Sequence, residues 1–90
     1  MPIAIYFNPE GMSADKYDEI MKKLEAAGAG TPKGRSHHST FGPKDRLMVY
    51  DVWDSQEDFD AFGQTLMPIL GEMGVDPGQP DVMPVHNIVQ

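Results

Sequence analysis

Three histidines are the residues of this 90-residue sequence with the clearest capacity for chemistry. His37 and His38 are adjacent, and His86 follows much later in the chain. A histidine side chain gains and loses a proton near neutral pH, so it can serve as a general acid or base, and it is also a common metal ligand. What each histidine can do depends on the element that carries it.

His37 and His38 fall within residues 35–41, a fairly polar segment that is predicted to be the second strand. Neighbouring residues of a strand point to opposite faces of the sheet, so these two cannot share one ion without a bulge. Whichever phase the strand takes, one of them should line a pocket between the sheet and the helices. That histidine is the best candidate for a catalytic acid or base.

A metal site is not expected. His86 is predicted to lie on the fourth strand, and in the sheet order 4-1-3-2 the second and fourth strands are opposite edges, roughly 14 Å apart. The favoured interpretation is one histidine hydrogen-bonded in the core and another at an interface. A contact between His86 and His37 or His38 of the partner subunit is the less favoured alternative.

The first half of the chain predicts a strand and a helix. Residues 3–7 are a short apolar run ended by the turn-forming cluster 8–11, which indicates a buried first strand. Ser13 is expected to cap a helix, in which apolar residues recur at helical spacing from Tyr17 onwards. The helix should end within residues 26–30, where alanine and glycine alternate.

The second half predicts two strands around a helix. Residues 46–53 form the third strand, and Ser55 is expected to cap a second helix with an apolar stripe that reaches Met73. Residues 82–89 are predicted to be the fourth strand, at an edge of the sheet because Pro84 cannot donate to a ladder.

Pro68 lies inside the predicted second helix, one turn after Gly63. Proline removes a backbone hydrogen bond and glycine is a poor helix former, so a kink or a break is predicted between these residues. The favoured alternative to a pocket-opening kink is a helix that curves around its core.

The order βαββαβ predicts a ferredoxin-like α+β sandwich, with a four-stranded antiparallel sheet and both helices on one face. Ninety residues suit one domain, residues 1–90, with a marginal core. The strands are apolar at odd and even positions alike: Ile5 and Phe7 flank Tyr6, and Val49 precedes Tyr50. A sheet with two apolar faces buries both, so we expect a homodimer.

Composition excludes several partners. The formal net charge is −7, which would repel a phosphate backbone, so no nucleic acid is expected. No apolar run approaches the roughly 20 residues of a membrane span. The chain has no cysteine, which excludes disulfides and thiolate chemistry. We expect a cytoplasmic protein without a membrane partner.

Residues 52–59, Val-Trp-Asp-Ser-Gln-Glu-Asp-Phe, resemble the strand-to-helix signature of the dimeric α/β-barrel superfamily. That superfamily includes monooxygenases of the antibiotic-biosynthesis type and heme-degrading monooxygenases. The resemblance implies two sheets facing each other across a dimer axis, and a small-molecule pocket in each chain, commonly between sheet and helices.

The resemblance does not extend to heme chemistry. Heme-degrading members ligate iron through a histidine on the second helix, and no histidine occurs between Ser55 and Gly74. Asn8 and Phe62 match an asparagine and an aromatic residue of their pockets, although Asn8 before Pro9 is equally explained as a turn residue. We therefore expect no cofactor.

The resemblance leaves cofactor-free oxygenation of a phenol or quinol as a candidate reaction. The hydrogen bonds and aromatic walls of such a pocket could come from Tyr6, Tyr50 and Trp53. Tyr6 and Tyr50 are predicted to share the inward phase of the central strands. Each of the three is as readily a core residue. The acids from Asp51 to Asp60 are interpreted mostly as solvated charges at a helix N-terminus rather than ion ligands. The predicted substrate-binding residues are Tyr6, Asn8, Tyr50, Trp53, Phe62 and His86.

The expected function is binding, with oxidation or isomerisation, of a small aromatic or apolar metabolite without a tightly bound cofactor. The alternative is a non-catalytic dimeric ligand-binding or accessory protein. A cavity of roughly 300 Å³ or more, lined by two convergent polar groups, would favour the first; a closed, dry core would favour the second.

Overall fold

Four strands and two helices alternate in the order βαββαβ, as the sequence predicts. The computed structural model describes residues 2–89. Its elements are β1 (Ile3–Phe7), α1 (Ala14–Ala26), β2 (Arg35–Phe41), β3 (Met48–Trp53), α2 (Gln56–Glu72) and β4 (Asp81–Pro84).

The strands form one antiparallel sheet in the order β2-β3-β1-β4. In the central pair Ile5 lies opposite Asp51 and Tyr6 lies opposite Tyr50. Both helices contribute side chains to a single core on one face of this sheet. The predicted ferredoxin-like α+β fold is confirmed. We call the helix-covered face of the sheet the inner face and the opposite one the outer face.

Both helices begin where the sequence predicts. The Ser13 hydroxyl accepts a hydrogen bond from the backbone N–H of Lys16, and the Ser55 hydroxyl accepts one from that of Asp58, both at 3.2 Å. Each bond satisfies an otherwise unpaired donor of a first turn, which stabilises a helix by about 1 kcal/mol. The two caps fix where the helices start over the sheet.

The core lies between the inner face and the helices. Trp53 and Ile5 of the central strands are fully buried, and Trp53 contacts the rings of Phe59 and Phe62 on α2 at centroid distances of 5.6 and 5.2 Å. Ile20 of α1 is buried to the same degree. Aromatic contacts of this kind anchor α2 across β3.

Two strands are shorter than predicted. β3 begins at Met48 rather than at residue 46, because the Arg46 N–H closes a turn on the Pro43 carbonyl. β4 ends at Pro84, so its predicted extension to residue 89 is wrong. Val85 still donates to the Pro2 carbonyl at 3.0 Å, but a proline has no N–H with which to continue the ladder.

α2 continues without interruption through Gly63 and Pro68, so the predicted break does not occur. Pro68 is exposed, and the carbonyl that it leaves unpaired can be satisfied by water. Neither helix has an apolar stretch long enough to span a lipid bilayer.

Candidate functional site

The two adjacent histidines lie on opposite faces of the sheet. In the pairing of β2 with β3, His38 is opposite Asp51 and His37 is opposite Val52. An irregularity between Arg35 and His37 shifts the register, which brings Arg35 to the inner face as well. His38 therefore lies beneath the helices, whereas His37 is exposed on the outer face.

Asp51 is the one charged residue buried within the part of the chain described, with 3% of its surface exposed. Its Oδ1 lies 2.5 Å from Nδ1 of His38, and its Oδ2 accepts a bond of 3.3 Å from Nε1 of Trp53. A buried carboxylate is costly unless it is hydrogen-bonded. Both of its oxygens have partners here, which accounts for its tolerance in the core.

The hydrogen-bond network assigns the proton of His38. Because Nδ1 faces the Asp51 carboxylate, it carries the hydrogen, and Nε2 of the neutral ring is then an acceptor. The Tyr17 hydroxyl lies 2.6 Å from Nε2 and donates to it, with Thr40 Oγ1 further away at 3.4 Å. Asp51, His38 and Tyr17 thus form a continuous chain of hydrogen bonds from β3 through β2 to α1.

This chain borders a cavity between the inner face and the helices. Apolar side chains form most of its wall, and four residues add polar groups: Tyr17, Arg35, His38 and Asp51. The cavity volume is about 50 Å³. This is enough for water but well below the roughly 300 Å³ of a typical ligand pocket. The polar groups converge as expected of a binding site, but a metabolite could enter only if the wall moved.

Among residues 2–89, Arg35 is the one lysine or arginine on the wall of the cavity. Its side chain is half-buried, with the guanidinium carbon 5.7 Å from the centroid of the Phe62 ring. Among residues 2–89 the one lysine or arginine that pairs with a carboxylate is Lys23, whose partner is Glu72, so no carboxylate of this part of the chain pairs with Arg35. The guanidinium retains donors for a further group.

Tyr6 and Tyr50 lie on the outer face, so the prediction that they share the inward phase is wrong. Tyr50 is 37% exposed, and the ring of His37 lies 5.7 Å from its ring. Both tyrosines border an open groove of about 370 Å³, together with Asp81 and Met83. The apolar residues of β3 occupy both phases, which is why alternation did not reveal the inward one.

The other predicted site residues do not form one site. Phe62 lines the cavity, whereas Trp53 is fully buried behind it and contacts the cavity-lining residues Phe62 and Asp51. Asn8 is exposed, and its side-chain oxygen accepts from Nε of Arg46 at 3.4 Å. His86 lies beyond the end of β4 and is exposed, which corrects its placement on the fourth strand.

Sequence reasoning missed Asp51 and Tyr17 as site residues. The sequence pattern places Asp51 among the solvated acids before α2, an interpretation that its burial contradicts. Asp51 has the same strand phase as Val49 and Trp53, two apolar core residues, but this becomes a signal only once the inward phase of β3 is known. Tyr17 gave no such signal, because its hydroxyl meets His38 only through tertiary packing.

Solved proteins with a similar backbone share little sequence identity with this chain. No family model matches the chain, and no curated protein matches its sequence. SnoaB, a cofactor-independent oxygenase from Streptomyces nogalater, is similar with a TM-score of 0.64 and 11% identity over 98% of this chain and 94% of its own. Rv0793 from Mycobacterium tuberculosis has a TM-score of 0.56 and 13% identity over 100% and 98%.

A protein from Chloroflexus aurantiacus J-10-fl, provisionally described as an antibiotic biosynthesis monooxygenase, is also similar, with a TM-score of 0.66 and 14% identity. The match covers 99% of this chain and 98% of that one. Similarity at this level of identity concerns the backbone, because side chains of a shared fold diverge freely. This chain has the ferredoxin-like fold of the antibiotic biosynthesis monooxygenase-like proteins.

Proposed function

We propose that this protein binds a small aromatic metabolite with an acidic hydroxyl in the cavity between the inner face and the helices, and that it promotes oxygenation of this metabolite by O₂ without a cofactor. The observation that carries the proposal is the Asp51–His38–Tyr17 chain, in which both His38 and Tyr17 line a mostly apolar cavity. The resemblance to a cofactor-independent oxygenase supports the same reaction class.

The proposed role of His38 is that of a general base. Its Nδ1–H is held by the Asp51 carboxylate, which orients the ring and stabilises the imidazolium that forms when Nε2 takes a proton. A phenol or quinol that loses its proton becomes electron-rich enough to react directly with oxygen. The apolar wall would exclude water from the anion while O₂ approaches.

Oxygen uptake with naphthohydroquinone, corrected for uncatalysed oxidation, tests the proposal. The wild-type protein should accelerate uptake, and His38→Gln should lower the rate at least about 100-fold, which is the usual contribution of a general base. His37→Gln is a matched control, because it removes an adjacent histidine from the other face of the sheet. The proposal fails if both variants keep the wild-type rate.

The second candidate function is that of a non-catalytic dimeric ligand-binding or accessory protein. The cavity volume of about 50 Å³ favours it, because a substrate does not fit without movement of the wall. Native mass spectrometry of freshly purified protein distinguishes the two candidates. A discrete co-purified aromatic mass supports the cavity as a binding site, whereas a bare protein that also takes up no oxygen favours the accessory function.

We also propose that residues 1–90 form one domain that works as a homodimer in the cytoplasm. The outer face supports the dimer, since Phe41, Tyr50 and Met83 expose 44%, 37% and 62% of their surface there. A sheet face with this many exposed apolar residues commonly lies at an interface. Isomerisation of the bound metabolite, by proton transfer through His38, is the alternative reaction for the same site.

A further inference from the structure

We propose that Tyr17 occupies the position of the substrate hydroxyl on His38, that it leaves when the substrate binds, and that Arg35 then pairs with the substrate anion. This inference rests on the proposed function, because it concerns ligand binding to the same cavity. It assigns roles to two residues that are neither the base nor its carboxylate.

The acceptor nitrogen of His38 is already occupied. His38 lines the cavity, and the close partner of its Nε2 is a phenol hydroxyl at 2.6 Å, that of Tyr17. The Tyr17 and His38 ring planes differ by only 7°, so the two rings are almost parallel. A phenolic ligand can form this same hydrogen bond only if the Tyr17 hydroxyl leaves it.

With Tyr17 in place the cavity has a volume of about 50 Å³, too small for a substituted benzene ring. Tyr17 itself lines the cavity, so rotation of its side chain towards solvent enlarges the cavity and frees Nε2 together. The residue belongs to the first turn of α1 and is only half-buried, which allows such a rotation.

When the substrate O–H bond breaks and an N–H bond forms at Nε2, His38 becomes a cation beside Asp51 and the substrate becomes an anion. The charges of the ionised groups in the cavity, including Arg35, sum to zero both before and after the transfer. A buried anion needs a partner, and Arg35 is the cation on this wall that lacks one among residues 2–89.

Binding of 4-nitrophenol tests these roles, because its phenolate absorbs visible light and its neutral form does not. The matched probe is 4-nitroanisole, which has a similar shape but no acidic hydroxyl. Tyr17→Phe removes the competing hydroxyl and keeps the ring, so it should bind 4-nitrophenol about fivefold more tightly than wild type. Tyr17→Ala should bind at least as tightly as Tyr17→Phe, and neither change should favour 4-nitroanisole to the same extent.

Arg35→Gln tests the anion partner. It should weaken binding of 4-nitrophenol about tenfold and reduce the phenolate absorbance of the bound probe, while 4-nitroanisole binds as in wild type. Arg46→Gln, which removes an exposed arginine outside the cavity, should change neither probe. Circular dichroism establishes that each variant is folded before its affinity is compared.

The outcomes separate the two proposals. If 4-nitrophenol binds wild type and Tyr17→Phe equally, or if Arg35→Gln leaves its affinity and absorbance unchanged, the inference is overturned while the cavity remains a binding site. If neither probe binds any folded variant, the cavity takes no aromatic ligand and the proposed function is overturned as well.

Discussion

The two neighbouring histidines have very different surroundings, because they lie on opposite faces of one sheet. On the inner face His38 is hydrogen-bonded at both ring nitrogens, to Asp51 and to Tyr17. On the outer face His37 is exposed and has a single side-chain hydrogen-bond partner, Ser39, at 3.2 Å. The residue type is the same, so the difference arises from what each face brings to the ring. Burial beneath the helices selects partners and fixes a tautomer, whereas solvent does neither.

The faces also differ in how their apolar residues are used. Inner-face residues such as Ile5 and Trp53 are fully buried within the chain itself. Outer-face residues such as Phe41 and Tyr50 stay partly exposed, and the rings of Tyr6 and Phe41 lie side by side at 6.4 Å between centroids. The inner face is thus covered by the chain itself, whereas the outer face is left partly exposed, which is the basis of the proposed dimer.

The largest difference between the faces should come from Asp51. Asp51→Ala leaves Nδ1 of His38 and Nε1 of Trp53 without their acceptor in the core, and we expect a loss of about 2–4 kcal/mol in the free energy of unfolding. Urea denaturation measures it. Asp54→Ala removes an exposed acid of the same segment and should stay within about 0.5 kcal/mol of wild type. Equal stability of the two variants would contradict a stabilising role for the buried pair.

A substitution on the outer face should change the dissociation constant of the proposed dimer rather than the stability of the fold. Tyr50→Glu puts a charge on the proposed interface of each subunit, so the dimer dissociation constant should rise at least about tenfold. Light scattering at micromolar concentration measures the change, with Tyr50→Phe as a control that keeps the aromatic ring. If the wild-type chain is a monomer with a cooperative melt, the dimer is ruled out and the exposed outer face needs another explanation.

The two histidines themselves provide a smaller contrast in stability. His38→Gln disrupts the hydrogen bonds to Asp51 and Tyr17 and should cost about 1–2 kcal/mol, since each net hydrogen bond contributes about 1 kcal/mol. His37→Gln should change stability by less than about 0.5 kcal/mol, because its ring is exposed. Thermal melts of both variants measure the difference. A larger loss in His37→Gln would reverse the comparison.

The smallest effect concerns α2, which covers the inner face together with α1. A Cβ atom at Gly63 would meet no atom within 4 Å apart from its chain neighbours and the backbone of its own helix, so Gly63→Ala should stabilise the helix by about 0.5–1 kcal/mol. Gly34→Ala is the opposite case, because its φ of +87° favours glycine and a Cβ there would collide with Asp58. The urea concentration at the midpoint of unfolding should therefore rise for Gly63→Ala and fall for Gly34→Ala. A change in the same direction for both variants would show that the local backbone does not decide their stability.

Part of the site could be predicted from sequence and part could not. Opposite orientation of His37 and His38 follows from strand geometry alone, and the structure has it. The inward phase of β3 could not be read with the same rule, because both phases carry apolar residues: Val49 and Trp53 in one, Met48 and Val52 in the other. The wrong phase for β3 places Tyr50 rather than Asp51 at the site, because a shift of one residue moves every side chain of a strand to the other face.

The sequence by itself determined the elements of this protein and their order. Ser13 and Ser55 cap helices through hydrogen bonds to residues three positions away, so local sequence is sufficient to place them. Only the tertiary structure decided that Tyr17 meets His38 and that His38 meets Asp51, because these partners lie on three different elements. Local propensities set where an element begins, whereas packing of the helices on the sheet decides which side chains share a cavity.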